Sequence, residues 1–269
     1  MKVKISADST CDLPKELIDT YDIGILPLYI VRDGDSLRDG EEITTPEVFA
    51  YAEQTGKLCG TAAVTMLDYV SAWTEWKKEY DAIVHVSLSS ELSASYNNAC
   101  IAAEEVGNVW VVDSRNLSTG SGHLVLDAAI MAKNGEEAPE IAAELLRLIP
   151  KLDVSFILDT LDNLRRGGRC TALQALGANL LSLKPCIEVH EGSMRVAKKY
   201  RGKTDHVFIQ YVMDRLKNRD DIDLRRVFIT DSGIPDEVRQ TIEDAVLACQ
   251  PFEKVYHNLS GCTISSHCG

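Results

Sequence analysis

Along the first half of the chain, short runs of consecutive apolar residues alternate with longer stretches in which apolar positions recur every three or four residues. The first pattern is that of strands buried on both faces, the second that of amphipathic helices. Strands are predicted over residues 3–7, 25–31, 82–88 and 109–112. A helix is predicted to follow Asp12, which reads as an N-cap with Pro14 in the first turn. Others open at Thr45-Pro46-Glu47 and at Thr65, where Thr65-x-x-Asp68 resembles a capping box and the helix runs to about residue 79. Further helices cover 92–106, 122–133 and 139–149. Residues 32–44 are polar and rich in Gly and Asp, which reads as a loop with a hairpin. Repeated strand–helix units predict an α/β fold with a parallel, doubly wound sheet.

Pro150 closes this series, so one lobe is assigned to residues 1–150 and a second to 151–269. The second half has a different rhythm. Strands are predicted at 154–158, 226–230 and 254–258, with a short helix at 161–166 ending in Gly167-Gly168. An apolar helix over 172–183 stops at Lys184-Pro185. Residues 186–190 and 194–200 read as a hairpin around Glu191-Gly192, and helices cover 205–217 and 235–249. This lobe is α/β with antiparallel strands.

Composition narrows the functional classes. The 269 residues carry a formal net charge of -13 and only 6% aromatic side chains. An acidic surface without a basic stripe repels nucleic acid, and few rings are available for stacking on bases. The same acidity also serves plain solubility. Eight cysteines are spread along the chain with no C-x-x-C pair, which argues against a metal site and for reduced thiols. The first residues read as a strand rather than a signal peptide, and no apolar run approaches a membrane span. The expectation is a cytoplasmic protein with no integral membrane contact.

Several catalytic signatures are missing. Gly202-Lys203-Thr204 resembles the end of a P-loop, but Ala197 stands where the first glycine is required. Gly120-x-Gly122 lacks the third glycine of a dinucleotide fingerprint. There is no H-E-x-x-H and no G-x-S-x-G. The candidate chemistry falls instead where predicted strands end and helices begin, the edge at which open α/β sheets take ligands. Asp8-Ser9-Thr10-Cys11-Asp12 is one such junction, although it also reads as a plain capped turn. Thr61 lies just before the helix opened by Thr65. Ser87-Leu88-Ser89-Ser90-Glu91-Leu92-Ser93-Ala94-Ser95-Tyr96 crowds five hydroxyls at another junction, suited to an anion or simply to capping. Asp113-Ser114 repeats the arrangement at the next strand end. Arg165-Arg166-Gly167-Gly168-Arg169 gathers three arginines on a sharp turn, which equally suits a helix C-terminus. The last candidate is His267.

Taken together and in order, these segments resemble the DegV family of bacterial proteins over nearly the whole chain. Asp8-Ser9-Thr10-Cys11-Asp12-Leu13 is similar to the family's opening motif. Ser89-Ser90-Glu91-Leu92-Ser93-Ala94-Ser95-Tyr96 is similar to its Ser-Ser-x-Leu-Ser-Gly-Thr-Tyr stretch. Asp113-Ser114, Gly167-Gly168-Arg169, Lys184-Pro185 and His267-x-Gly269 also match. Thr61-Ala62-Ala63-Val64 departs from the usual Thr-Ser-x-Pro. The chain stops at Gly269, where the family's pattern runs on through a Gly/Pro turn, so a final strand is expected to be missing.

The resemblance implies a two-lobed DegV-type fold with a long-chain fatty acid between the lobes. It implies no catalytic constellation and no cofactor beyond that ligand. The chain would be the carrier subunit of a fatty acid kinase, with a separate ATP-dependent partner phosphorylating the carboxylate. On this pattern Thr61, Ser93 and His267 hold the carboxylate, with Ser9, Thr10, Ser95 and Ser114 as secondary candidates. Arg169 and Arg201 would lie near the opening, where the kinase docks. Exchange of ligand at a membrane surface would be transient. The helix over 172–183 is a candidate wall for the tail, or ordinary core. Two rival readings are a Ser/His hydrolase of a lipid ester, with Ser93 as nucleophile and His267 as base, and a carrier of another hydrophobic acid.

Overall fold

The computed structural model describes residues 1–158, 162–169 and 183–269. β1 (Val3–Asp8) runs into a tight turn at Ser9–Cys11 and then α1 (Lys15–Thr20). β2 (Gly24–Leu26) and β3 (Tyr29–Arg32) follow. The single strand predicted over 25–31 is therefore two. Pro27 has no N–H to give a ladder, so β2 ends before it and the chain crosses into a different sheet. β4 (Asp35–Arg38) completes the predicted hairpin, with Asp33 and Gly34 both at positive φ in its turn. α2 (Thr45–Thr55) opens on a capping box between Thr44 and Glu47, and α3 (Met66–Trp76) on the predicted one between Thr65 and Asp68. Between them lies β5 (Gly60–Ala62), a strand where a loop was predicted.

β6 (Ala82–Ser87), α4 (Ser95–Val106), β7 (Val109–Asp113), α5 (Thr119–Lys133) and α6 (Ala138–Leu148) complete the first half. Every residue of β6 is buried, as expected of a central parallel strand. The sheet order is β2-β1-β6-β7, all parallel. Alternate β6 residues face opposite layers. Val84 and Val86 pack with Leu124, Val125 and Ile141 of α5 and α6, while Ile83 packs with Tyr69, Trp73, Ala99 and Ala102 of α3 and α4. β3, β4 and β5 form a separate antiparallel sheet in the order β4-β3-β5. Gly122 lets α5 close on the first turn, since a Cβ there would sit 2.6 Å from the Cys11 carbonyl oxygen.

The second half contributes β8 (Ser155–Ile157), α7 (Asp162–Gly167), β9 (Leu183–His190), β10 (Ser193–Arg201), α8 (Thr204–Leu216), β11 (Val227–Asp231), α9 (Asp236–Cys249), β12 (Val255–Leu259) and α10 (Cys262–Cys268). β10-β9-β8 is antiparallel and β11-β12 parallel. The predicted helix over 172–183 lies outside the described residues except for Leu183, which begins β9. Apolar packing runs across residue 150. Ile187 and Met194 join the layer of Tyr69, Trp73 and Ile83, and Phe228 and Tyr256 pack against the α5 layer. Among the described residues no helix is long and apolar enough to cross a membrane.

Asp12 is not the N-cap of α1. It closes the preceding turn at φ 47, and Pro14 occupies the cap position. Its buried carboxylate accepts from the Ser118 hydroxyl at 2.6 Å and from the Gly261 N–H at 2.9 Å, a residue near the other end of the chain. Burial pushes the Asp12 carboxyl up to about 7, with the neighbouring Asp39 charge adding to the effect against those two donors. Its ordinary value is 3.8, so the folded state binds this proton more tightly than the unfolded chain. Stability from this group is present at low pH and is lost as pH rises toward about 7. The expected result for Asp12→Asn is a stability difference from the parent that moves in the variant's favour between pH 4 and pH 8. Urea denaturation across that range measures it, and a pH-independent difference would refute the assignment.

Candidate functional site

Thr61 occupies the middle of β5, paired with Ile30 of β3, so its position is fixed by a ladder rather than by a loose loop. Ser93 lies in the turn between β6 and α4, where the N–H groups of Leu92 and Ser93 both donate to the Ser89 carbonyl. The helix predicted from residue 92 thus starts three residues later, and residues 92–94 line a cavity instead. His267 is carried by α10, an element with no counterpart in the sequence prediction.

These three residues line one cavity of about 180 Å³. The Thr61 hydroxyl and His267 Nε2 are 2.8 Å apart. Ser93 Oγ accepts from the Ser95 N–H at 3.1 Å and lies 3.0 Å from Ser95 Oγ. Around them the walls are largely apolar. Leu28, Leu88, Leu92 and Leu117 come from the first half, and Met194 and Ile264 from the second. Arg169 is the one cation among the described lining residues, and its guanidinium donates to the Gly167 carbonyl at 2.7 Å. Burial pushes the His267 imidazole down to about 4, with the Arg169 charge acting in the same direction. The ring is therefore neutral near pH 7. With the proton on Nε2 it donates to Thr61, which frees the threonine hydrogen for a ligand.

The other sequence candidates are placed differently. Ser9 donates to Asp39 at 3.1 Å and accepts from the Leu28 N–H at 3.1 Å. Thr10 is buried. Ser114 is buried and bonded to Ser121 and Asn116. None of the three lines the cavity. The Ser9 and Ser114 hydroxyls serve the turns at the sheet edge, which is the plain reading of such junctions, whereas the Thr10 hydroxyl meets no hydrogen-bond partner among the described residues. Ser95 is also fully buried and stands behind Ser93 rather than beside it in the wall. Arg201 ends β10, exposed and outside the lining. The apolar lining was not anticipated, apart from the 172–183 helix, which lies outside the described residues. Scattered leucines carry no sequence signal that separates cavity wall from core.

The position of His267 rests on two contacts. At the start of α10, buried Asp39 accepts the N–H groups of Cys262 at 3.0 Å and Thr263 at 3.1 Å. Near its end, Gly167 of α7 presses on the ring. A Cβ at residue 167 would lie 2.2 Å from His267 Nδ1, closer than any real contact. Gly167→Ala is expected to displace the imidazole and raise its titration midpoint from about 4 toward the ordinary 6.5, as read by NMR of the ring. An unchanged midpoint would show that Gly167 does not hold the ring in place.

The family model described as the uncharacterised DegV family matches residues 2–269. A DegV domain-containing protein of Caldanaerobacter subterraneus is 31% identical over 271 residues, covering 100% of this chain and 95% of that protein. A protein of Thermotoga maritima described as a fatty acid-binding protein is 32% identical over 228 residues, covering 81% of this chain and 77% of that protein. A solved structure from Thermus thermophilus, described as showing fatty acid binding of a DegV family protein, superposes with a TM-score of 0.84 at 30% identity, over 100% of this chain and 96% of that one.

Proposed function

The chain belongs to the DegV family, and from that premise we propose that it binds a long-chain fatty acid and presents the carboxylate to a separate ATP-dependent kinase. The observation that carries the reading is the set of neutral polar groups, Thr61 Oγ1, His267 Nε2 and Ser93 Oγ, on the wall of a largely apolar cavity. The fatty acid binding described for the Thermus thermophilus and Thermotoga maritima relatives supports it.

The physics suits such a ligand. Burying a tail of about sixteen carbons at roughly 0.8 kcal/mol per methylene gives a gross gain of about 12 kcal/mol, much of it offset by association and ordering. The tail therefore supplies affinity and the head group fixes orientation. A carboxylate held by neutral hydroxyls keeps its nucleophilicity for phosphoryl transfer, whereas a bidentate arginine fork would hold its lone pairs. Arg169 and Arg201 are exposed and offer cationic contacts to the kinase. The hydrolase alternative is disfavoured by the hydrogen bonding. His267 Nε2 meets Thr61 rather than Ser93, and Ser93 Oγ is engaged by Ser95, so the base does not face the nucleophile.

Mass spectrometry of an organic extract of the purified protein is expected to yield a long-chain fatty acid. Thr61→Ala should weaken fatty acid binding by about tenfold, the scale of one lost head-group hydrogen bond. A protein that carries no lipid and takes up no fatty acid would overturn the proposal, and another recovered hydrophobic acid would redirect it. Kinase presentation has its own test. Arg201→Ala should slow phosphorylation of bound fatty acid by a bacterial fatty acid kinase while leaving fatty acid affinity unchanged. Unaltered phosphorylation would remove Arg201 from the docking surface.

A further inference from the structure

Behind the head-group wall lies a buried polar network that the proposed function does not use. Asp8, at the end of β1, is almost fully enclosed. Its carboxylate accepts from the Tyr69 hydroxyl at 2.5 Å, the Ser87 hydroxyl at 2.8 Å and the Leu88 N–H at 2.8 Å. His85 Nε2 stands 3.3 Å away, and the other nitrogen of that ring meets Ser6 Oγ at 3.0 Å. Burial pushes the Asp8 carboxyl up, but His85, Tyr69 and the Leu88 N–H outweigh it and hold it below the usual carboxylate range. Burial and the Asp8 charge keep the Tyr69 phenol protonated, so its hydrogen is committed to Asp8.

Ser95 connects this core to the cavity. Its hydroxyl lies close enough to the same phenol to oppose the rise in its titration. It also accepts from the Val64 N–H at 3.3 Å and lies 3.0 Å from Ser93 Oγ, while the Ser95 N–H donates to Ser93 Oγ at 3.1 Å. One turn further along α4, Asn98 donates to the Val64 carbonyl at 2.8 Å. The turn after Thr61 and the turn carrying Ser93 are thus joined by the Ser95 side chain, itself fully buried and absent from the cavity wall, with Asn98 as a second tie from α4 to Val64.

We infer that Ser95 is a positioning residue which locks residues 61–64 to the Ser93 turn and so sets the spacing of the two hydroxyls that meet a fatty-acid carboxylate. This rests on the proposed fatty acid binding. Ser95 acts through Ser93 and Thr61 and does not touch the ligand. Its loss should therefore weaken recognition of the head group and leave burial of the tail intact.

Two ligands with one tail separate these effects, palmitate with its carboxylate and hexadecanol without it. Ser95→Ala is expected to lower palmitate affinity about tenfold, the scale of one misplaced hydrogen bond, with hexadecanol affinity held within about twofold. The resonance of carboxyl-labelled palmitate should shift in the same variant, and Ser95→Thr, which keeps the hydroxyl, should recover both readouts. Asn98→Ala removes the other tie between α4 and Val64 and should show the same selectivity in smaller measure. It decides the matter if Ser95→Ala does not fold. Equal losses for both ligands, or an unchanged palmitate affinity, would reduce Ser95 to a packing role and overturn the inference. A parent protein that binds neither ligand would overturn the binding proposal itself, and the inference with it.

Discussion

The seven residues of α10, Cys-Thr-Ile-Ser-Ser-His-Cys, have little intrinsic reason to be helical in water. Cys, Thr, Ser and His all rank in the lower part of the propensity scale, and a two-turn helix does not recover the cost of its own nucleation. The orphan N–H groups at its start are what the fold answers. Gly261 donates to Asp12, and Cys262 and Thr263 donate to Asp39, so two buried carboxylates hold three consecutive amides. The arrangement satisfies charge as well as hydrogen bonding, because a helix start carries partial positive charge. Asp39 is fixed in turn by Ser9, and Asp12 by Ser118. Without this clamp nothing local would bring His267 against Thr61, and the head-group wall would lose one side.

The clamp also explains how an acidic chain can build a neutral site. The carboxylates at the base of the wall are turned inward, each engaged by backbone amides or hydroxyls, so that none of Asp8, Asp12 and Asp39 lines the cavity. What faces the cavity is hydroxyl, imidazole and hydrocarbon, with the Arg169 guanidinium as the one charge among the described lining residues. A buried imidazole that stays neutral is a directional partner rather than a counter-ion, and the one charge among the described lining residues, Arg169, is itself exposed. An acid held there is oriented by hydrogen bonds with little charge neutralisation, which is the condition under which it can be handed on.

Local patterns were informative wherever the cause is local. The capping boxes at Thr44 and Thr65, the Asp33-Gly34 turn and the buried run Ala82–Ser87 all depend on neighbours within a few residues, and all are legible in the chain. The parallel sheet with antiparallel strands added in the second half follows from the same rhythm. Thr61, Ser93 and His267 were found through family resemblance, and the cavity they share joins β5, the β6–α4 turn and α10 across more than two hundred residues of sequence. Asp12 shows why the remainder was hidden. Its place before Pro14 suggests a cap, but the groups it satisfies are Ser118 and Gly261, and no periodicity announces partners so remote. Pro27 is a legible signal of the break between β2 and β3, since a proline inside an apolar run argues against an unbroken strand.

The departure at residues 62–64 is best understood through the same network. Where the family pattern has proline, this chain has Val64, and the difference is one backbone N–H. That N–H donates to Ser95 Oγ, while the Val64 carbonyl accepts from Asn98 and the side chain is fully buried in the layer of Tyr69 and Trp73. A proline would restrict the turn through its ring. Valine restricts it through a hydrogen bond to the residue that also engages Ser93. The turn after Thr61 can therefore lose its proline without losing its place, provided a hydroxyl remains at position 95.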